Sequence, residues 1–396
     1  MSTATALALP RQRPQGTRRA IYMPASGAYE TLTQSAAYAP AGPQVLVRAR
    51  YSGVNPGDRR HFHMGWHSYV AGYEWAGVAE AVGPDAPTRG VGGEDGIAPG
   101  DLVFGLTPFG DRRPVELGAH QDLLLADARP GSGTYRVPRH LLPGAGDDDG
   151  EDKILRLLAA WPAAMRTAGD ALFNALGFAF PAAEGLGKGV DPRGRAILIW
   201  GGSSSVGLAA IYLAASAGFG PIYATASPRN HADLLARGVA RCFDYRSATV
   251  ADEIRAAAAA DGRELSVVFD AVTAGTGFAE PEREGGGFDL AQSSPAIAAG
   301  CVSEGVDDAD LRLCATLPLP HDPRWEFCIA RRDEAEQDAR IEASMVWALG
   351  QLTLSGGGFR FPKLRVVKGA EAGIQAIYDV FEGKVSMEKY VIEHPL

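Results

Sequence analysis

Residues 196–230, AILIWGGSSSVGLAAIYLAASAGFGPIYATASPRN, constrain this chain most, because they set an apolar strand, a glycine-bounded turn, a helix and a second strand in one short unit. Ala196 to Trp200 is a continuous apolar run, as a parallel strand covered on both faces requires. Gly201 and Gly202 allow a tight turn. Ser203, Ser204 and Ser205 are helix-capping types, and Gly207 would let the following helix approach the strand. A helix N-terminus beside such a turn can hold an anion without a basic side chain. The run Gly-Gly-Ser-Ser-Ser-Val-Gly is not the strict G-x-G-x-x-G form, so its meaning comes from the strand–helix–strand context, which is the plan of a dinucleotide site.

The second strand, residues 222–226, ends roughly twenty residues after Gly207, where an NAD site would offer Asp or Glu to the ribose 2′-hydroxyl. Here the chain reads Ser227-Pro228-Arg229-Asn230. With no carboxylate to repel a 2′-phosphate, and a hydroxyl, a guanidinium and an amide in its place, the loop favours NADP over NAD. The same four residues also suit a chain turn in which Asn230 caps the next helix, and the two roles are compatible.

At 396 residues the chain is long enough for two domains, and its 46% hydrophobic and 21% charged residues are those of a soluble globular protein. The formal net charge of -9 argues against nucleic acid as a partner and favours a small-molecule ligand. Cys242, Cys301, Cys314 and Cys328 form no C-x-x-C pair, which suits reduced thiols in a cytoplasmic setting and offers no zinc ribbon. No apolar run of about eighteen residues is present, so no membrane-spanning helix is expected. Arg11, Arg13, Arg18 and Arg19 precede the first acid, Glu30, but Pro10 and Pro14 interrupt any amphipathic helix, so residues 1–19 are expected to form a flexible tail.

From residue 20 short strands alternate with Gly and Pro, at 43–51, 73–82 and 100–106, as in a small, partly open β-barrel. The Gly- and acid-rich tracts 90–96 and 143–152 are expected as solvated loops. Helical spacing begins near Lys153, and βα alternation runs through strands at 196–200, 222–226, 241–245, 266–273 and 311–317, a doubly wound α/β domain. The expected division is a barrel domain at 20–160, a nucleotide-binding domain at 161–340, and a return segment at 341–396 completing the first domain. His61, His63 and His67 have a spacing that could mimic a metal site. Their setting, after Asn-Pro-Gly-Asp-Arg-Arg and among Phe62, Met64, Gly65 and Trp66, reads instead as an irregular loop near the cleft.

Three pieces of sequence resemble the medium-chain dehydrogenase/reductase superfamily: Gly53-Val54-Asn55-Pro56-Gly57-Asp58, Gly72-Tyr73-Glu74-Trp75-Ala76-Gly77-Val78 with Gly100-Asp101-Leu102-Val103-Phe104-Gly105, and the Gly201 to Gly207 turn. Ser227 to Asn230, Phe243-Asp244-Tyr245 and Glu382-Gly383-Lys384-Val385-Ser386 are similar to the trans-acting enoyl reductases that serve fungal polyketide synthases. The resemblance implies a GroES-like barrel joined to a Rossmann domain. It also implies NADPH-dependent reduction of a carbon–carbon double bond in an α,β-unsaturated thioester, carried on a polyketide synthase partner. Reduction of a free quinone or alkenal, and a non-catalytic NADP-binding role or a reused fold acting on a reactive polyketide product, are the alternatives. The zinc-ligand positions of the superfamily fall near Asn55-Pro56, at Tyr73 and near Ala163, so no tetrahedral zinc site is expected.

By the same resemblance Gly201, Gly202, Ser203, Ser204, Ser205, Val206 and Gly207 line the pyrophosphate, and Ser227, Pro228, Arg229 and Asn230 hold the adenosine phosphate. Tyr245 flanks the adenosine, while Gly57, Asp58, Arg59, Arg60, Val385 and Ser386 lie along the cofactor. Arg60 stands where the reductases commonly have lysine. Thr167 sits where the superfamily places a hydroxyl against the nicotinamide, and could equally be a helix threonine bonded to its own backbone. Tyr73 is in reach of the cleft as a proton donor, or is a structural barrel tyrosine, or water serves. The insertion 275–294, with Glu280, Glu282, Arg283 and Glu284, either covers the cleft or is a loop.

Overall fold

A computed structural model describes residues 18–34, 38–90, 95–144, 146–180, 182–281, 287–353 and 357–396. Residues 1–17 of the expected tail, the inner part of the 90–96 tract and Glu282, Arg283 and Glu284 of the insertion lie outside the described residues. Arg18 and Arg19, counted with the tail, instead open a strand.

The first part of the chain carries β1 (Arg18–Met23), β2 (Glu30–Gln34), β3 (Gln44–Gly53), α1 (Gly57–His63), β4 (Tyr69–Val70), β5 (Glu74–Val82), β6 (Leu102–Leu106), β7 (Leu123–Asp127) and β8 (Thr134–Arg136). β1 lies between β2 and β4 in a small sheet, and β3 pairs antiparallel with β5 and with β7. α2 (Asp148–Leu158) and α3 (Pro162–Asp170) then lead to the second domain. The tract 143–152 was expected as loop, but α2 begins inside it. Asp147 accepts a hydrogen bond from Gly150 N at 3.0 Å, Asp148, Asp149 and Glu151 stand in the first turn where the helix dipole favours acids, and Ile154, Leu155 and Leu158 are buried.

The second domain alternates β9 (Ile197–Trp200), α4 (Ser205–Ala217), β10 (Ile222–Thr225), α5 (His231–Leu235), β11 (Arg241–Phe243), α6 (Val250–Ala260), β12 (Val267–Asp270), α7 (Ser294–Ala299), β13 (Arg312–Ala315) and β14 (Trp325–Phe327). Its six strands are parallel, in the order β11-β10-β9-β12-β13-β14. The chain moves outward one way from β9 and returns to its other side at β12. The crevice beyond the carboxyl ends of β9 and β12 is therefore the switch point where open α/β sheets bind ligands.

α8 (Ala335–Gln351), β15 (Lys363–Lys368), α9 (Ala370–Phe381) and β16 (Glu388–Glu393) finish the chain. β16 pairs parallel with β15 and antiparallel with β3, so the last strand joins the first domain's sheet. The domain edge expected at 340 falls inside α8. That helix packs on α3, and its Glu342 and Asp338 hold the buried Arg166 guanidinium, so a break there would cut through a packed element.

Candidate functional site

The turn after β9 is built for close backbone approach. Gly201 has φ +79, and a side chain there would run into Val272, the second residue after β12. A Cβ on Gly207 would lie 2.9 Å from Gly202 Cα, and one on Gly202 would lie 2.9 Å from Ala224 Cβ. Thr225 anchors the turn to β10, its Oγ1 accepting from Gly201 N and its carbonyl from Gly202 N, both at 2.9 Å. Ser204 caps α4, accepting from Gly207 N at 2.9 Å. Among the described residues the N–H groups of Ser203, Ser205 and Val206 form no hydrogen bond, and the first turn of α4 holds no acid. Three free donors at a helix N-terminus fit a pyrophosphate.

The loop after β10 carries the next part. Ser227 leads into a short 3-10 turn, Pro228–Asn230, with Pro228 and Arg229 exposed. Among the described residues the Arg229 guanidinium has no hydrogen bond and no ion pair within 4 Å, and Glu388 near it is already paired with Lys363 at 3.0 Å. Asn230 does not cap α5. Its amide reaches across to donate to Ser386 Oγ at 2.7 Å, which ties this loop to the return segment. Met387 N contacts the Ser203 carbonyl at 3.4 Å with Met387 at φ 56, so Ser386 does border the turn. Val385 does not, because its side chain packs into the first domain's core with residues of β1 and α9. Tyr245 lies 43% exposed beyond β11, with the Arg246 guanidinium 5.5 Å from its ring centre.

Residues 57–63 form α1, not the irregular loop expected, and the helix separates side chains that a loop could have grouped. Arg60 points across to the second domain, its Nη2 donating to the Val272 carbonyl at 3.3 Å. Asp270 holds that carbonyl in place, one carboxylate oxygen accepting from Val272 N and Thr273 N, both at 3.0 Å, the other from Ser294 Oγ at 2.5 Å. Among the described residues Arg60 forms no other hydrogen bond and no ion pair within 4 Å, so most of its five donors stay open to a ligand. Burial pushes its pKa down from the ordinary value, with Glu280 and Asp270 opposing.

Asp58 and Arg59 are corrections. Asp58 is fully buried and faces away from the turn, accepting from Asn55 N at 2.7 Å and contacting His120 Nε2 at 3.3 Å. Arg59 donates to the Gly27 carbonyl at 2.6 Å and lies over the rings of Phe62 and Tyr378, at 4.7 and 5.4 Å. Consecutive helical residues point about 100° apart, so Arg59 fastens α1 to α9 while Arg60 meets the crevice. The three histidines also part. His61 is enclosed beside Tyr73, His63 stacks on Phe381 at 5.2 Å, and His67 is exposed and bonded to Ser68 at 2.9 Å. Among the described residues no group of three or more His, Cys, Asp or Glu side chains could hold a metal.

Asn55, Tyr73 and Ala163 do converge, around a residue the sequence reading passed over. Glu74, fully buried at the start of β5, accepts from Asn55 Nδ2 at 2.9 Å and from Ala163 N at 3.0 Å. The Lys389 ammonium from β16 lies 2.6 Å from the same carboxylate and 2.6 Å from Asn55 Oδ1. Nothing near Lys389 in the sequence signals its partner. Thr167 donates its hydroxyl to the Ala163 carbonyl at 2.7 Å, leaving its lone pairs to accept. Tyr73 packs with Ala163, Leu106 and Ala330, and its phenol is hydrogen-bonded to His61 Nδ1.

No family model matches the chain. It is 30% identical over 219 residues to a trans-enoyl reductase of Gibberella fujikuroi, covering 54% of this chain and 53% of that one. It is 31% identical over 216 residues to one of Trichoderma harzianum, covering 54% and 52%. The matches thus span about half the length of these relatives. In structure it is similar to an alcohol dehydrogenase superfamily protein from Novosphingobium aromaticivorans, with TM-score 0.65, 19% identity and 96% and 100% of the two chains covered. It is also similar to the CurK enoyl reductase, at 0.63, 16%, 96% and 100%, and to a mycobacterial protein complexed with NADPH, at 0.62, 18%, 96% and 100%. The chain has the medium-chain dehydrogenase/reductase fold, and fungal trans-enoyl reductases are among its curated relatives.

Proposed function

We propose that the protein is an NADPH-dependent enoyl reductase acting on the α,β-unsaturated thioester of a carrier-bound polyketide, in trans to a polyketide synthase. The observation that carries the reading is the crevice itself, where three unpaired backbone donors and the under-coordinated, half-buried Arg60 guanidinium meet at the switch point between β9 and β12. The relatives' names and the NADPH bound to a protein of the same fold support it. When bound, the cofactor supplies a hydride for the β-carbon.

The chain's own residues hold and orient. Ser203, Ser205 and Val206 offer N–H groups to the pyrophosphate, Gly201, Gly202 and Gly207 make room for it, and Arg229 and Ser227 meet the adenosine phosphate. Thr167 offers its lone pairs to a carboxamide. Arg60, fixed by Val272, faces the negative charge that develops on the thioester oxygen, where a preoriented donor acts most strongly.

The test is NADPH oxidation by purified protein with an enoyl thioester on a carrier, compared with a free quinone and a free alkenal. Turnover of the thioester, undiminished by a chelator, is expected. Turnover of only the free acceptors would shift the reading to a quinone or alkenal reductase, and NADPH binding with no turnover would shift it to a binding protein. Arg229→Ala is expected to weaken NADPH about tenfold and leave NADH almost unchanged, the loss of one charge-assisted contact on an exposed loop. Equal wild-type affinities for the two cofactors in a titration would sink the NADP assignment.

A further inference from the structure

The buried Tyr73, raised from the sequence as a candidate proton donor, is paired beside the crevice with the half-buried His61, and neither takes part in the cofactor site described above. His61 lies one turn along α1 from Gly57, and a Cβ on Gly57 would sit 3.4 Å from His61 Cε1 and 3.9 Å from Tyr73 Cε2. The imidazole stacks on Trp66 at 4.4 Å, and the phenol stacks on Phe109 at 4.7 Å. The Arg113 guanidinium covers the Tyr73 ring at 4.4 Å. Ala163, which packs on Tyr73, provides the carbonyl that orients Thr167. The pair therefore stands within one helical turn of both Arg60 and Thr167. Trp66 and Arg113 also line a cavity of about 610 Å³ together with Met64, His67 and Asp111.

We infer that Tyr73 delivers the proton that completes the reduction, and that His61 is the positioning residue that orients and reloads its phenol. The inference rests on the enoyl-reductase reading. After hydride addition the substrate is an enolate, with the former π pair on its oxygen. As the carbonyl re-forms, the α-carbon takes the Tyr73 O–H proton, the phenolate takes the His61 Nδ1 proton, and Nε2 takes one from water, which is left as hydroxide. Charge and protons balance, and no further reactant is needed.

The electrostatics suit these roles. Burial raises the Tyr73 pKa, so the phenol keeps its proton at neutral pH, while Arg113 eases the brief phenolate. Burial pushes His61 down to about 4, with Asp58 opposing and Arg113 and Arg60 reinforcing, so the imidazole is neutral and has one nitrogen free to accept.

The experiment runs the reduction in deuterated water and reads the configuration at the α-carbon. Wild type is expected to place deuterium on one face. Tyr73→Phe, which keeps the ring packing, is expected to lose that selectivity and at least ~100-fold of kcat, with NADPH affinity and melting temperature preserved. His61→Gln is expected to keep the face, lower kcat about tenfold and enlarge the solvent isotope effect, because reloading becomes slow. Nitrogen NMR of the ligand-free protein at neutral pH should find His61 as the neutral Nδ1–H tautomer. A Tyr73→Phe protein with wild-type kcat and selectivity, or His61 as the Nε2–H tautomer, overturns the inference alone. A wild type that reduces no enoyl thioester overturns the underlying reading and this assignment with it.

Discussion

Lys389→Met is expected to lower the stability of the protein by about 3 to 5 kcal/mol, measured by chemical denaturation at neutral pH. The ammonium is 4% exposed and the Glu74 carboxylate 0% exposed, so removing one charge strands the other without water. Asn55 Nδ2 and Ala163 N still donate to Glu74, but neither neutralises it. Gly53 adds to the enclosure, since a Cβ there would fall 2.9 Å from the Glu74 carboxyl carbon. The double variant Lys389→Met/Glu74→Gln should recover much of the loss, because the uncompensated charge is then gone. A single variant within about 1 kcal/mol of wild type would show that the pair is better hydrated than its burial indicates.

Under the proposed function, Arg60→Ala is expected to slow enoyl reduction by roughly 30- to 1000-fold, the equivalent of about 2 to 4 kcal/mol of transition-state binding. The guanidinium is half-buried and held by a single carbonyl, so its remaining donors are available where the proposed reaction develops negative charge. Arg60→Lys keeps a point charge and loses the fork, and should be milder. Rates for both variants, with melting curves to verify folding, decide the matter. If Arg60→Ala melts like wild type and turns over at the wild-type rate, the cation has no part in the reaction.

Two adjacent arginines show where reading the sequence stopped short. Asn-Pro-Gly-Asp-Arg-Arg looks like loop chemistry, because Pro, Gly and Asp are turn formers, and a loop would allow Arg59 and Arg60 to face one ligand. Pro56 instead stands at the N-cap of α1, and the helix sends one arginine to the crevice and the other to Gly27 and the aromatic rings. The acidic tract before Lys153 was misjudged for a related reason, since its carboxylates serve the first turn of α2. In both places a composition typical of loops belonged to a helix start.

The Gly201 to Gly207 turn was legible because everything that makes it is local: an apolar run, glycines where φ is positive or a Cβ has no room, and a capping serine three residues before Gly207. The apolar alternation of the second domain was legible for the same reason, as periodicity reports which faces are covered. The tertiary structure alone decided which distant groups meet: Asn230 with Ser386, Arg60 with the Val272 carbonyl, and Lys389 with Glu74 and Asn55. Short-range order follows from backbone sterics and side-chain pattern within a few residues. A buried lysine finds its carboxylate only once β16 has paired with β3, and that register is set by packing across the whole fold.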